Sequence, residues 1–329
     1  MPPATVTNPE PFRPRRGLRG GHLQTLIGAF LPPQNALPAP ELRCFCVDAE
    51  AEVLTLCHWQ PDRRRCLTLL IVHGLEGSAN SSYVLGTASK AWQAGMNVVR
   101  YNVRNCGGTE HLCRTLYHSG LSADVGEVVR ALIRDDRLGR IALAGFSMGG
   151  NQVLKLAGEW GSSAPPQLEA VAAVSPGIDL AACADAIHRW KNRIYEWNFL
   201  WNLRRTLRRK ALCFPGKVQV GGWGDFRSIR DFDNRVTAPA WGFADANDYY
   251  TRASASAFLP RIAVPTLMIQ AADDPFVSLT GETRARIAGN PNIRLIETEH
   301  GGHCAFLAAP DRDDGRWAER QVVNFVSRF

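Results

Sequence analysis

Three short stretches of this 329-residue chain hold the residue types that nucleophilic catalysis requires. The first is GFSMG, residues 145–149, with Ser147 at its centre. A serine lifted on a tight turn at a strand end sits in a strained backbone conformation, which neighbours without side chains can accommodate. Gly145 and Gly149 supply that clearance. A serine hydroxyl is a poor nucleophile until a base takes its proton. The second stretch, ETEHGGHCAF at 297–306, offers His300 and His303 as bases. The doubled glycine before His303 lets the backbone turn tightly and bring that imidazole inward. The third, QAADDPFVS at 270–278, sets Asp273 beside Asp274. A carboxylate here would hold the imidazole in its working tautomer and stabilise the imidazolium. Consecutive side chains at a strand end point apart, so the two aspartates have different jobs. Pro275 holds Asp274 extended at the strand exit, which makes Asp274 the candidate acid. Asp273 is left to accept loop N–H groups as a turn brace.

Positioning these residues needs a framework of strands and helices. LTLLIVHG (67–74) is a nearly continuous apolar run, as in a strand buried on both faces of a parallel sheet. NVVRYNV (97–103), RIALAGF (140–146), LEAVAAVSP (168–176), VPTLMIQA (264–271) and NIRLIET (292–298) read as further strands. Between them fall helical patterns at about 82–93, 124–135 and 149–160, with a last one at about 313–329. Such alternation predicts an α/β fold with a mostly parallel sheet and helices on both faces. Earlier β-like runs lie at 43–48 and 52–59, and Cys44 and Cys46 in the first would share one face for packing. Residues 1–40, rich in proline and arginine, read as an irregular arm packed on the body through GGHLQTLIGAFLP. Residues 41–329 then form a single domain. The alternation breaks at about 178–259, including a loop-like GGWGDF, and this block is expected to insert as a cap or lid.

The strand–turn–helix setting of Ser147 strengthens a motif that is weak alone. The chain order Ser, Asp, His is the one an α/β-hydrolase uses for its triad. Acyl transfer also needs donors for the developing oxyanion. The backbone N–H of Met148 is one candidate, and that of Leu75, in the loop HGLEGS after the buried strand, is the second. His73 is expected to brace that loop.

Nine scattered cysteines without a CxxC or CxxH pair argue against a zinc site or a disulfide framework and fit a reducing cytoplasm. The N-terminal sequence has no secretory h-region, and the apolar runs are strand-sized, far short of a membrane span. The formal charge of +7 is concentrated: Arg189 to Lys210 holds eight Lys/Arg against one acid, Glu196. That segment is either a solvated basic face or a peripheral contact with an anionic membrane. No nucleic-acid module accompanies the charge, so nucleic acid is not an expected partner.

With these pieces in place, the chain resembles the α/β-hydrolase superfamily and, within it, the YheT-like branch (family 4, related to the ABHD1, ABHD2 and ABHD3 group). The residues that carry the resemblance are GGHLQT (20–25), HGLEGS (73–78), YNVRNCGG (101–108), GFSMGGN (145–151) and the GGH ending at His303. Spaced residues from Asp233 to Asp274 add to it, among them Asp248-Tyr249-Tyr250, Ser254 and the closing Asp-Asp. The resemblance implies a serine hydrolase acting on short acyl or lipid esters, with Ser147 as nucleophile, Asp274 as acid and His303 as base. The spacing from Asp274 to Val277 is that of the acid in many such enzymes. His22 and Tyr249 match family positions without an assigned role. Neither a metal nor an organic cofactor is called for. A thioesterase, amidase or acyltransferase could use the same triad, and a non-catalytic binding protein could keep the scaffold.

Overall fold

The computed structural model describes residues 10–34, 36–216, 226–310 and 314–329. Eight strands share one sheet: β1 (Glu41–Asp48), β2 (Ala51–His58), β3 (Thr68–Val72), β4 (Asn97–Tyr101), β5 (Ile141–Phe146), β6 (Leu168–Val174), β7 (Thr266–Ala271) and β8 (Ile293–Thr298). Their order is β1-β2-β4-β3-β5-β6-β7-β8. β1 and β2 form an antiparallel hairpin, β2 meets β4 antiparallel, and every pair from β4 to β8 is parallel. The main helices are α1 (Gly21–Phe30), α2 (Ser82–Gln93), α3 (Ser122–Arg134), α4 (Met148–Trp160), α5 (Leu180–His188), α6 (Arg193–Cys213), α7 (Ala246–Ala253), α8 (Gly281–Ala288) and α9 (Trp317–Val326).

The sheet has a core on each side, which explains the unbroken apolar runs. In β3, Leu70 and Val72 join Val125, Val128, Val129 and Leu132 of α3 and Val153 and Leu154 of α4. Leu69 and Ile71 face the other way, onto Val84 and Ala88 of α2 and Trp317 and Val322 of α9. All five residues of β3 are buried. Each large aliphatic side chain placed there contributes about 1.5–3 kcal/mol through lost contact with water. The ends of β3, β5, β7 and β8 are thereby fixed relative to one another, and the candidate residues follow those ends.

Three expectations change. Residues 21–30, inside the arm read as irregular, form a ten-residue helix. Its sequence carries two glycines at its start and no side-chain cap, so packing rather than local propensity holds it. Cys44 and Cys46 do share a face of β1, but it is the solvent face, while Phe45 and Val47 take the core side of this edge strand. The last helix begins at Trp317 rather than about 313, and Asp313 itself lies outside the described residues. Most of the loop-like GGWGDF also lies outside them. Between β6 and β7 the chain runs through α5, α6, α7 and several short turns. All nine cysteines are free. Among the described residues no helix is long and apolar enough to cross a membrane.

Candidate active site

β5 leads straight into the turn that carries Ser147, and α4 begins at the next residue. Ser147 has φ 54° and ψ −117°, a conformation that costs a non-glycine residue about 1–3 kcal/mol. The turn is tight enough to require its glycines. A Cβ on Gly145 would lie 2.3 Å from the Gly149 carbonyl oxygen, and one on Gly149 would lie 2.4 Å from that of Val72. The Ser147 N–H donates to the Val174 carbonyl at 3.0 Å, which pins the turn to the end of β6.

The loop after β3 passes over this serine. A Cβ on Gly74 would lie 3.0 Å from Ser147 Cβ. His73 braces the loop, as expected: its Nδ1 donates to the Gly74 carbonyl at 2.7 Å and its Nε2 accepts from the Val103 N–H at 3.0 Å. Burial lowers the His73 pKa to about 4, so the ring is neutral. Glu76, at φ 53°, ties the same loop to α6 and to the segment before α3. Its carboxylate accepts from Tyr117 Oη at 2.5 Å and from Thr206 Oγ1 of α6 at 2.7 Å. Leu75, Ser147 and Met148 line one cavity of about 140 Å³. Met148 is the first residue of α4, where an N–H has no acceptor within its own helix. Both residues named as candidate oxyanion donors therefore line the same cavity as the serine.

The two aspartates diverge. Asp274 Oδ2 lies 2.8 Å from His303 Nδ1, and the aspartate side chain is fully buried. Its Oδ1 accepts from the N–H groups of Phe276 at 3.1 Å and Val277 at 2.9 Å. Three donors thus converge on one carboxylate. Asp273 turns the other way, accepting the Gly302 N–H at 2.9 Å, with His300 Nδ1 3.4 Å from its second oxygen. His303 is thus hydrogen-bonded to Asp274, while His300 only lies near Asp273. Burial, the largest influence on His303, would lower its pKa, but neighbouring Cys304 and the charge and hydrogen bond of Asp274 outweigh it. The imidazolium is held above its ordinary value of 6.5.

Several residues that hold the His303 loop had no role assigned from sequence, although Gln24 and Thr25 lie in the GGHLQT motif. The His303 N–H donates to Thr25 Oγ1 of α1 at 2.8 Å. Buried Gln24 grips the end of the same loop, accepting the Leu307 N–H at 2.7 Å and donating to the Leu307 carbonyl at 3.1 Å. Ser175 Oγ accepts the Cys304 N–H at 3.0 Å. The GGHLQT motif thus has a physical purpose: it supplies the bracket for a loop nearly the whole chain away. Its His22 stacks on Tyr195 of α6 and approaches the tyrosine hydroxyl at 3.1 Å. Asn192 donates to the Pro275 carbonyl at 2.7 Å, fastening the segment after α5 to the acid's loop.

The rest of the cavity is largely apolar. Leu180, Ile187, Phe199, Leu203 and Leu207 face it from α5 and α6, and Phe276 packs its ring 4.2 Å from that of His303. Asp233 is an exception, buried in the lining and bonded by Thr237 and Tyr250 at 2.7 Å each. Burial raises its pKa to about 6. Tyr249, the other family position, accepts the Ser119 N–H at 2.9 Å and shapes the wall.

Comparison with known proteins agrees with this architecture. A family model described as the alpha/beta hydrolase fold matches residues 68–310. The chain is 31% identical to "Putative esterase YheT" of Escherichia coli over 97% of its own length and 93% of that protein. It is 29% identical to human phospholipase ABHD3, over 93% of this chain and 76% of that one. Among solved structures, the Pyrococcus furiosus esterase Pf2001 superposes with a TM-score of 0.56 at 16% identity, covering 90% of this chain and 99% of that one. That likeness speaks to the fold alone. Strand order, turn geometry and sequence together show that the chain belongs to the α/β-hydrolase fold family, in the branch that contains YheT.

Proposed function

We propose that this protein is a serine hydrolase of carboxylic esters that works through Ser147, His303 and Asp274 and an acyl-enzyme intermediate. Its family and esterase-named relatives support ester hydrolysis in general. The observation that carries the finer reading is the His303–Asp274 pair at 2.8 Å, its carboxylate fully buried, on the same strand-end platform as a serine strained outward at φ 54°. In this reading His303 takes the Ser147 proton as the hydroxyl attacks the ester carbonyl. The amides of Leu75 and Met148 receive the oxyanion, each worth about 10²–10³ in rate. His303 then protonates the leaving alcohol, and water releases the acid. Asp274 keeps the Nδ1 proton facing itself, so that Nε2 remains the working nitrogen. The segment 178–259 acts as the cap that shapes the acyl site. Its apolar lining suits a hydrocarbon acyl chain better than a charged one.

A fluorophosphonate probe and a series of p-nitrophenyl esters graded by chain length test this together. Labelling and turnover should both vanish in Ser147→Ala while its melting temperature stays near wild type. Absence of labelling in folded wild-type protein would sink the reading in favour of a binding protein. Faster turnover of thioesters, or product formed with an added alcohol in place of water, would redirect it to a thioesterase or an acyltransferase.

A further inference from the structure

α6 presents two apolar faces. Phe199, Leu203 and Leu207 point inward and line the cavity. On the outside, Ile194 and Trp197 are 64% and 69% exposed, and Trp190, in the turn just before the helix, is 87% exposed. Positions 190, 194 and 197 repeat at helical spacing, and Trp201, 48% exposed, continues the same stripe. α1, whose His22 stacks on Tyr195 of α6, adds an exposed stripe of its own at Leu23, Leu26 and Phe30. Large apolar side chains gathered on a surface in this way mark a contact, whereas a merely solvated helix carries polar residues there.

Charge identifies the contact. Arg189, Lys191, Arg193, Arg205 and Arg209 are exposed along this segment. The single acid, Glu196, is buried and engaged by His188 Nδ1 at 3.0 Å and by the Ile229 N–H at 3.1 Å. The segment therefore shows solvent tryptophan, isoleucine and cations with no exposed carboxylate. Tryptophan favours the level of the lipid head groups, and arginine and lysine beside it are attracted to an anionic leaflet. We propose that the outer face of α6 and its leading turn dock this protein on an anionic lipid surface. The inner face of the same helix walls the cavity, so docking brings that wall to the bilayer and gives an ester leaving the lipid a short way in. This last step rests on the esterase reading; the docking does not.

Flotation with phosphatidylcholine vesicles, with and without phosphatidylglycerol, tests the proposal on the full chain. Wild-type protein should float with the anionic vesicles, stay behind with the neutral ones, and be released by high salt. Reversing Arg189, Lys191 and Arg193 to Glu should weaken binding by about a hundredfold or more. Trp190→Ala with Trp197→Ala should abolish it. Hydrolysis of a soluble short ester serves as the folding control and should be unchanged in both variants, which separates failure of docking from failure of the esterase reading. Wild-type protein that remains folded yet does not float with anionic vesicles overturns the proposal. So does equal binding to neutral vesicles, or a dimer that is lost in the tryptophan variant, since a second copy would then be the occupant.

Discussion

At the scale of single residues, the adjacent carboxylates give a sharp contrast. Asp274 meets His303 Nδ1 at 2.8 Å, whereas Asp273 meets the Gly302 N–H at 2.9 Å. Asp274→Asn presents an amide where the imidazole needs an acceptor and favours the wrong tautomer. By analogy with other triads it should lower kcat by about 10⁴ with little change in melting temperature. Asp273→Asn keeps an acceptor but loses its charge, and should cost about 1 kcal/mol of stability while most of the activity remains. Finding the two effects exchanged would reverse the assignment.

The pH response follows from the same pair. The folded pKa of His303 is raised, and in the proposed mechanism the base form is the one that works, so kcat/KM should rise with pH along a limb centred above 6.5. Removing the Asp274 charge should move that limb toward lower pH. For stability the sign runs the other way. A raised histidine binds its proton more tightly when folded, so its contribution is complete below pH 6.5 and is lost as pH climbs through the folded value. Melting temperatures across that range, compared between wild type and His303→Gln, would reveal the difference.

At the scale of elements, the site depends on how α1 and the His303 loop meet. Thr25→Val leaves the buried His303 N–H without its 2.8 Å partner, at about 1–3 kcal/mol, and frees the imidazole to drift. A displacement of ~1 Å at a catalytic group can cost about 10² in rate. The expected result is a kcat reduced by about tenfold to a hundredfold at nearly constant KM, with Thr25→Ser close to wild type. A purely structural role would lower stability and leave kcat per folded molecule unchanged. The sequence showed this element only in part. GFSMG between an apolar strand and a helix exposes its own logic, because the strain at Ser147 and the glycines that permit it are neighbours in the chain. The Thr25–His303 contact joins residues at opposite ends of the chain, so GGHLQT marked Thr25 as part of a motif but not what it touches. α1 itself was missed because its starting glycines disfavour a helix that only tertiary contacts with Asp273 and Ala305 stabilise. On β1 the period-two pattern put Cys44 and Cys46 on one face, but nothing in eight residues says which face of an edge strand meets the core.

At the scale of the whole molecule, the arm packs on the loops that carry Asp273 and His303. Gly21 is where they touch most closely. A Cβ there would lie 1.9 Å from the Asp273 carbonyl oxygen, which is backbone and cannot step aside. Gly20, one residue earlier, has nothing within 4 Å of its Cβ position and serves as the helix N-cap. Gly21→Ala must therefore push α1 away from the acid's loop, and α1 also carries Thr25 and Gln24 on the base's loop. The expected outcome is a loss of about 1–3 kcal/mol together with a fall in kcat, since overpacking displaces backbone that orients both Asp274 and His303. Gly20→Ser places a favoured N-cap residue in open space and should stay within about 0.5 kcal/mol of wild type at full activity. If both variants behave alike, the arm is only a covering. If they differ as stated, an N-terminal helix far from the nucleophile in sequence sets the geometry of the base, and the active site spans the chain from Gly21 to His303.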